Sequence, residues 1–401
     1  MAHRFSCWSI PLFGLLLGVN GAEQSCELPT FPLVELNDDK FGVTQRKVAA
    51  LCPTDHAASL RASWQRELAS AWPAAMRNDG GGGLAVVLFG DSMVRQQFDF
   101  LTGLLSGAKM KQSPTLEGRS VSVDGSGSYA VTVARGQLGM NASLTAVLIT
   151  TSRFSPELEF AATIIDRVLS EPAFGVAGDT NLAACATRGS DRSAAANEMG
   201  RCVVYVSGGA LHMLHIVPAR KWEAVGRYLA FETLARRGLA RLRARFGGGG
   251  SDTGGGGAGA RLVYFITHAV CESAFEGLFA AAVARARSGK PHGACMAHAR
   301  DAIAVAREGG GSDLGGLGDA DGADQAWLTA LCINGTMSGH GSALMYERER
   351  RVTTELRVPV VDGYAMTHMQ CWATQAQDGR HYPPLLHLEV MALLGFLLEQ
   401  E

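Results

Sequence analysis

Two hydrophobic patterns alternate along the chain. Short runs of consecutive apolar residues are separated by longer segments in which apolar residues recur every three or four positions. The runs predict strands buried on both faces of a sheet, and the recurring pattern predicts amphipathic helices. The predicted strands span residues 85–89, 144–149, 202–206, 261–267 and 358–361. The predicted helices span residues 57–77, 93–105, 156–169, 218–246, 272–286, 342–356 and 384–398.

The remaining segments have other patterns. In residues 119–135 apolar and polar positions alternate around a Gly-rich turn, which predicts a β-hairpin that we interpret as an insertion. Residues 175–200 are small and polar and predict a surface loop, and residues 247–257 and 309–322 predict Gly-rich loops. No glycine loop here has the Gly-Lys-Ser/Thr ending of a phosphate cradle.

Continuous apolar strands alternating with helices indicate an α/β protein with a five-stranded parallel sheet covered on both faces. The Gly-rich loops fall between elements and do not separate two cores. We therefore predict one large domain over residues 80–401, preceded by an arm and a helix over residues 23–79.

The first 22 residues depart from this pattern. His3 and Arg4 precede an apolar run from Ile10 to Val19, and the small residues Gly21 and Ala22 follow it. This layout predicts a signal peptide over residues 1–22, with an uncleaved membrane anchor as the alternative. The sequence therefore indicates the secretory pathway, either outside the cell or in the Golgi lumen.

Cysteine usage and glycosylation sequons agree with that compartment. Removal of Cys7 with the signal would leave eight of the nine cysteines, an even number that suits disulfides, although the pairing stays open. Asn141 and Asn334 begin N-glycosylation sequons. The net charge is −2 and 18% of the residues are charged, so the sequence lacks the excess of basic residues that is typical of nucleic-acid-binding proteins. The eight cysteines are Cys26, Cys52, Cys185, Cys202, Cys271, Cys295, Cys332 and Cys371.

Chemically useful residues follow the predicted strands, and the carboxyl ends of parallel strands form one edge of a sheet. Ser92 follows the first strand within a Gly-Asp-Ser turn, and Asp378 and His381 lie in the loop before the last helix. A serine beside a helix start together with a histidine and an aspartate is the layout of an acyl-transfer site. Other residues expected at this edge are Ser207 to His212, His268, Glu272 and Asp362.

Two segments carry a family resemblance. Phe89-Gly-Asp-Ser-Met-Val-Arg-Gln-Gln-Phe98 and Asp378-Gly-Arg-His-Tyr382 resemble the first and last blocks of the SGNH (GDSL-type) hydrolase superfamily. More narrowly, they resemble its PC-esterase branch, which includes the trichome-birefringence-like polysaccharide O-acetyltransferases. The resemblance implies a three-layer α/β/α sandwich of flavodoxin-like type. It also implies Ser92 as nucleophile, His381 as base and Asp378 as the group that orients the base.

The middle of the chain departs from the superfamily pattern. The Gly-x-Asn-Asp block that supplies an oxyanion-hole asparagine is absent, so we expect the backbone of Ser92 and of Gly208 or Gly209 to serve instead. His212 and Arg95 are candidate substrate-binding residues, although a core histidine and a solvated helix face are the plainer interpretations.

Three functional hypotheses follow. The first is a secretory-pathway serine esterase or O-acyltransferase that acts on an acylated carbohydrate or a similar hydroxyl and needs no cofactor or metal. The second is a glycan-binding or structural protein on an inactive SGNH scaffold. The third is a metal-dependent hydrolase using His292 and His298, which flank Cys295 at a spacing that suits metal ligands. A membrane is expected as a partner only if the N-terminal segment is an uncleaved anchor.

Overall fold

The structure is a computed structural model of the 401-residue chain. It describes residues 25–27, 49–51, 83–106, 111–112, 129–138, 142–151, 158–186, 201–208, 221–247, 260–277, 280–281, 284, 297, 338–374 and 379–398. The strands are β1 (Ser25–Glu27), β2 (Ala49–Leu51), β3 (Leu84–Gly90), β4 (Lys111–Gln112), β5 (Tyr129–Leu138), β6 (Ala142–Thr151), β7 (Arg201–Ser207), β8 (Ala260–Ile266) and β9 (Val360–Asp362). The helices are α1 (Ser92–Ser106), α2 (Leu158–Ser170), α3 (Ala183–Ala186), α4 (Lys221–Phe246), α5 (Gly339–Glu355), α6 (Gly363–Thr367) and α7 (Leu386–Leu398).

The central sheet is mostly parallel and has the strand order β4-β5-β6-β3-β7-β8-β9. The strands β6, β3, β7, β8 and β9 run parallel to their neighbours, whereas β5 is antiparallel to β6 and to the short β4. Numbered along the chain, the five parallel strands have the order 2-1-3-4-5, which is that of flavodoxin-like sheets. The direction of winding therefore reverses at β3 and β7, where ligands of such sheets bind.

Helices cover both faces of the sheet. Alternate residues of β3 point to opposite faces because successive side chains of a strand do so. Ala85, Val87 and Phe89 join one buried cluster with residues of α2, α4 and α5. Leu84, Val86 and Leu88 join a second cluster with residues of α1 and α7. The described residues thus form the three-layer α/β/α sandwich that the resemblance implied.

The prediction of a five-stranded sheet was wrong in its count. All five predicted strands are present and parallel, but the sheet has six strands of at least three residues and the two-residue β4 at its edge. The additional long strand is β5, which takes its residues from the predicted hairpin insertion and pairs with β6 along its full length. Its alternating pattern, with Tyr129, Val131 and Val133 buried, is that of an antiparallel strand near a sheet edge.

The predicted surface loop after α2 is also partly wrong. Its first part contains the short turn Thr180–Leu182 and α3, and Leu182 and Cys185 are buried. Cys185 forms a disulfide with Cys202 of β7, which attaches this segment to the sheet. The predicted helix over residues 57–77 and the signal segment lie outside the described residues. Of residues 272–286, the structure describes 272–277, 280, 281 and 284, and Glu272–Ala274 form a short 3-10 helix.

A second disulfide joins Cys271 to Cys371, with the two Cα atoms 5.5 Å apart. Disulfides persist in oxidising compartments, so the two bonds agree with the compartment expected from the sequence. The structure does not describe the side chains of the other four cysteines, which are Cys26, Cys52, Cys295 and Cys332. Within the described ranges no helix is long and apolar enough to cross a membrane.

Replacing both cysteines of a disulfide with alanine should lower the free energy of unfolding. In the chain-entropy model a loop of about 15 residues contributes about 3 kcal/mol and one of about 100 residues about 4.7 kcal/mol. The two loops here span 17 and 100 residues. We therefore expect the Cys271→Ala/Cys371→Ala protein to lose more stability in urea denaturation than the Cys185→Ala/Cys202→Ala protein. Equal losses, or the opposite order, would contradict the expectation.

Candidate active site

The turn between β3 and α1 presents Ser92 at the carboxyl edge of the sheet. The Asp91 carboxylate accepts a hydrogen bond from the Met93 N–H at 2.9 Å and caps the helix, as is usual for aspartate at this position. A Cβ on Gly90 would lie 2.4 Å from Val94, so only glycine lets the helix start this close to the strand. As the first residue of α1, Ser92 has an N–H without an acceptor inside the helix.

Ser92 meets His381 across 289 residues of sequence. The Ser92 Oγ atom lies 3.0 Å from His381 Nε2, within hydrogen-bond distance. Ser92 is partly exposed and His381 is buried with 9% exposure, so solvent reaches the pair from the serine side only in part. A serine hydroxyl within this distance of an imidazole has the geometry of a nucleophile and its general base.

The loop that carries His381 is fixed to the segment that follows β8. The Cys271 N–H donates to the Gly379 carbonyl at 2.8 Å, and the Tyr382 hydroxyl donates to the Ala269 carbonyl at 2.9 Å. His268 Nδ1 lies 3.1 Å from the carbonyl oxygen of Arg380. Residues on both sides of His381 are therefore held by one short segment at the end of a buried strand.

That segment is itself well anchored. The Ala269 N–H donates to Thr367 Oγ1 at 2.8 Å, and the Val270 N–H donates to Ser342 Oγ at 3.1 Å. The Cys271–Cys371 disulfide adds a covalent link. The support for the His381 loop is thus tied to α5, to α6 and to the residues after α6.

Below the loop, a cluster of polar side chains is enclosed by apolar residues. His268 Nε2 lies 2.5 Å from Glu389 Oε1, and the amide of Gln97 donates to Glu389 Oε2 at 2.5 Å. His268 and Glu389 are fully buried, and Gln97 is 1% exposed. Burial and the Glu389 carboxylate raise the pKa of the nearby Tyr205 hydroxyl well above its usual range, so that group stays neutral.

A second buried carboxyl group lies on the other face of the sheet. Glu349 Oε1 accepts a hydrogen bond from the Tyr264 hydroxyl at 2.7 Å, and its Oε2 accepts one from the Thr267 N–H at 3.2 Å. Desolvation, and to a smaller extent charge repulsion from Asp362 and Asp91, raises the pKa of Glu349 to about 8. Glu349 is therefore protonated at neutral pH, although its hydrogen bonds oppose the shift.

Gly208 has a close neighbour that bears on its expected role in an oxyanion hole. Its backbone N–H lies near enough to the Tyr264 hydroxyl to act against the rise in the pKa of that group, which burial causes. A Cβ at this position would lie 2.4 Å from the hydroxyl oxygen, so this close approach requires glycine. Gly209, the alternative donor, lies outside the described residues.

The other predicted site residues are placed as follows. Arg95 is exposed on α1, one turn after Ser92. Asp362 accepts a hydrogen bond from the Ala365 N–H and caps α6, and Glu272 accepts one from the Gly339 N–H. Asp378, His212, Asn141, Asn334, His292, Cys295 and His298 lie outside the described residues. Within the part of the chain that is described, no group of three or more His, Cys, Asp or Glu side chains could hold a metal ion.

Three buried polar residues were not identified from the sequence. Glu389 is the one acidic residue of α7, whose other residues are apolar apart from His387, and Gln97 interrupts the apolar face of α1. Glu349 lies in a helix with several charged neighbours. An isolated carboxylate in an apolar helix indicates a buried polar contact, because burying a charge is costly unless it is paired. This pattern could have identified Glu389. Glu349 offers no such signal, since its surroundings in the sequence are those of a solvated helix.

Comparisons with known proteins add little. No protein-family model matches the sequence, and no curated protein matches it. One solved chain, titled "Peptidoglycan O-acetylesterase in action, 5 min", is similar with a TM-score of 0.28 and 10% sequence identity. The match covers 83% of this chain and 95% of that chain. A likeness at this level carries no argument about function, which therefore has to come from the site.

The Gly379→Ala protein should be less stable than the wild type. Gly379 has φ of +62°, and a Cβ there would lie 2.3 Å from the Cys271 carbonyl oxygen. Left-handed backbone in a non-glycine residue costs about 1–3 kcal/mol. The control is Gly395→Ala in α7, where a Cβ meets nothing within 4 Å and helix propensity should stabilise by about 0.5–1 kcal/mol. Urea denaturation measures both, and a stable Gly379→Ala protein would show that the loop tolerates a side chain.

Glu349 should make stability fall as pH rises. Between its ordinary pKa of 4.5 and the folded value of about 8, the folded chain keeps a proton that the unfolded chain has released. The free energy of unfolding then decreases by about 1.4 kcal/mol per pH unit in that window. Glu349→Gln, which mimics the protonated carboxyl group, should remove this contribution, and Gly395→Ala should keep the wild-type dependence. Urea denaturation at pH 5, 6.5 and 8 gives the slopes, and parallel slopes for wild type and Glu349→Gln would refute the assignment.

Proposed function

We propose that the chain is a secretory-pathway serine esterase or O-acyltransferase of the SGNH type. Its substrate is an O-acylated, or acylatable, hydroxyl of a glycan or a similar molecule. The observation that carries the proposal is the 3.0 Å contact between Ser92 Oγ and His381 Nε2. Its position supports the proposal, because it lies at the carboxyl end of β3, where the winding of the sheet reverses.

In the proposed mechanism Ser92 Oγ attacks the carbonyl carbon of the acyl group while His381 Nε2 takes the hydroxyl proton. The protonated His381 then gives that proton to the departing alcohol, which leaves an acyl-serine. In the second half an acceptor hydroxyl loses its proton to His381 and attacks the acyl carbon. The bond from that carbon to Ser92 Oγ then breaks as His381 returns the proton to Oγ, which restores both residues. Water as acceptor gives hydrolysis, and a sugar hydroxyl gives acyl transfer.

Two supporting roles belong to the same proposal. Asp378, three residues before His381, orients the imidazole and stabilises its charged form. The Ser92 N–H, free of an acceptor inside α1, receives the developing oxyanion together with a second donor. We assign the second donor to the backbone N–H of Gly208 or Gly209.

The compartment and the substrate class rest on separate support. The two described disulfides and the signal-like N-terminal sequence favour the secretory pathway. The glycan substrate rests on the resemblance of the Gly-Asp-Ser and Asp-x-x-His segments to the PC-esterase branch. Assaying acetate release from acetylated glycans, against transfer of a labelled acetyl group to a glycan, separates hydrolysis from transfer.

Ser92→Ala and His381→Ala should each lower kcat/KM for an acetyl ester by roughly 10⁴–10⁶-fold, because neither group works without the other. The double variant should lose little more, since the two residues act as a unit. Ser170→Ala is the matched control, because this exposed serine ends α2 and touches only the backbone of its own helix. Initial-rate kinetics and labelling by a fluorophosphonate probe measure the effects.

Both measurements can contradict the proposed function. A Ser92→Ala protein that keeps most of its activity would exclude Ser92 as nucleophile. A folded wild-type protein that neither labels nor turns over esters would instead favour the inactive glycan-binding scaffold. Activity that is lost with a chelator would favour the metal-dependent hydrolase.

A further inference from the structure

The buried polar cluster of Gln97, His268 and Glu389 has no part in the proposed chemistry. None of these side chains reaches Ser92 or His381 directly in the described contacts. Paired buried charges seldom stabilise a protein more than apolar side chains of the same volume do. A histidine–glutamate pair at 0% exposure inside an apolar cluster therefore calls for a reason other than stability.

The hydrogen-bond chemistry of the cluster defines one arrangement. A backbone carbonyl can only accept, so His268 Nδ1 carries a proton and donates it to the Arg380 carbonyl. His268 Nε2 and Glu389 Oε1 share a second proton, and Glu389 Oε2 accepts from the Gln97 amide. Removing the Glu389 carboxyl group leaves a ring nitrogen and an amide without partners in a site closed to water, which is costly.

The cluster joins the two halves of the proposed site. Gln97 lies on α1, five residues after Ser92, and a helix transmits such a constraint rigidly. His268 holds the carbonyl of Arg380, which is the residue before His381. Glu389, on α7, bonds to both. A continuous chain of hydrogen bonds thus runs from the Ser92 helix to the His381 loop below the surface.

We infer that the Glu389–His268 pair positions His381 relative to Ser92, with Gln97 as the connection to α1. These are positioning residues, and the inference rests on the proposed serine–histidine chemistry. Ser92 lies on α1 and His381 lies in a separate loop. The distance between Ser92 Oγ and His381 Nε2 has to stay within hydrogen-bond range for the proton to pass between them. Misplacing a reacting group by about 1 Å can lower a rate by about 100-fold.

The test compares two substitutions of the same residue. Glu389→Leu places a slightly shorter apolar side chain at this position and removes both hydrogen bonds of the carboxyl group. Glu389→Gln keeps them, because its amide can donate to His268 Nε2 while its oxygen accepts from Gln97. We expect Glu389→Leu to lower kcat about 10- to 100-fold with KM changed less than about threefold, and Glu389→Gln to restore kcat to within about threefold of wild type.

Glu232→Leu is the control for lost stability. Glu232 is 5% exposed and bonds to Arg236 and Arg351 at the contact between α4 and α5, so its loss should lower stability with kcat unchanged. All rates are measured well below the melting temperature and are scaled to the folded fraction seen by circular dichroism. A Glu389→Leu protein with wild-type kcat, or a Glu389→Gln protein as impaired as Glu389→Leu, overturns the inference.

A readout without substrate separates this inference from the proposed function. The His381 Cε1–H resonance, assigned by its loss in His381→Ala, should shift in Glu389→Leu, return in Glu389→Gln and stay in place in Glu232→Leu. If the resonance shifts in Glu389→Leu but the wild-type protein has no esterase activity, the positioning role is supported and the proposed function is contradicted. If the resonance is unchanged in Glu389→Leu and the wild-type protein is active, the positioning role is contradicted and the proposed function is supported.

Should Glu389→Leu fail to fold, Gln97→Leu takes its place. It leaves the His268–Glu389 pair intact and cuts only the connection to α1. We expect kcat to fall about threefold to tenfold, with a shifted His381 resonance. A wild-type kcat together with an unchanged resonance overturns the inference.

Discussion

Strand β3 is enclosed on every side, and the position of the site depends on this enclosure. It has parallel neighbours on both edges, and helices cover both of its faces, so its residues from Leu84 to Phe89 are at most 1% exposed. A strand in this position has no place for a polar side chain along its length, because a buried polar group needs a partner. The chain can turn polar only where the strand ends. Ser92 follows directly, on a helix that Gly90 allows to start close to the sheet.

His381 depends on a different kind of support, since it lies in a loop. Three hydrogen bonds fix its neighbours Gly379, Arg380 and Tyr382 to the segment that follows β8. That segment begins where a buried strand ends, as the Ser92 turn does. Both halves of the proposed site therefore take their positions from the same edge of one sheet, where β3 and β8 end on either side of β7. Loops held in this way can carry chemistry without the variability that loops usually show.

The sequence predicted the parallel strands well because their signal is local. Continuous apolar runs over residues 85–89 and 202–206 have no other common explanation than buried strands, and the structure has β3 and β7 there. Strand β5 was assigned to an insertion, since alternation alone does not say which sheet a strand joins. The meeting of Ser92 and His381 was expected from strand order and from the resemblance. The hydrogen bonds of Gln97, His268 and Glu389 could not be predicted, because they depend on how three elements pack, and no local pattern records that.

The 289 residues between Ser92 and His381 also set an order of events when the chain is made. At about 5–20 residues per second, roughly 15–60 s pass between the synthesis of the serine and that of its histidine. Helix α1 can pack against α7 only after that interval. Glu389 and the apolar residues of α7 then complete the buried cluster that α1 shares with β3. Until then, one face of β3 lacks its cover and exposes apolar surface that other molecules can bind. The buried polar cluster can therefore close, and the contact between Ser92 and His381 can become fixed, only after the last helix has been made and has packed against α1.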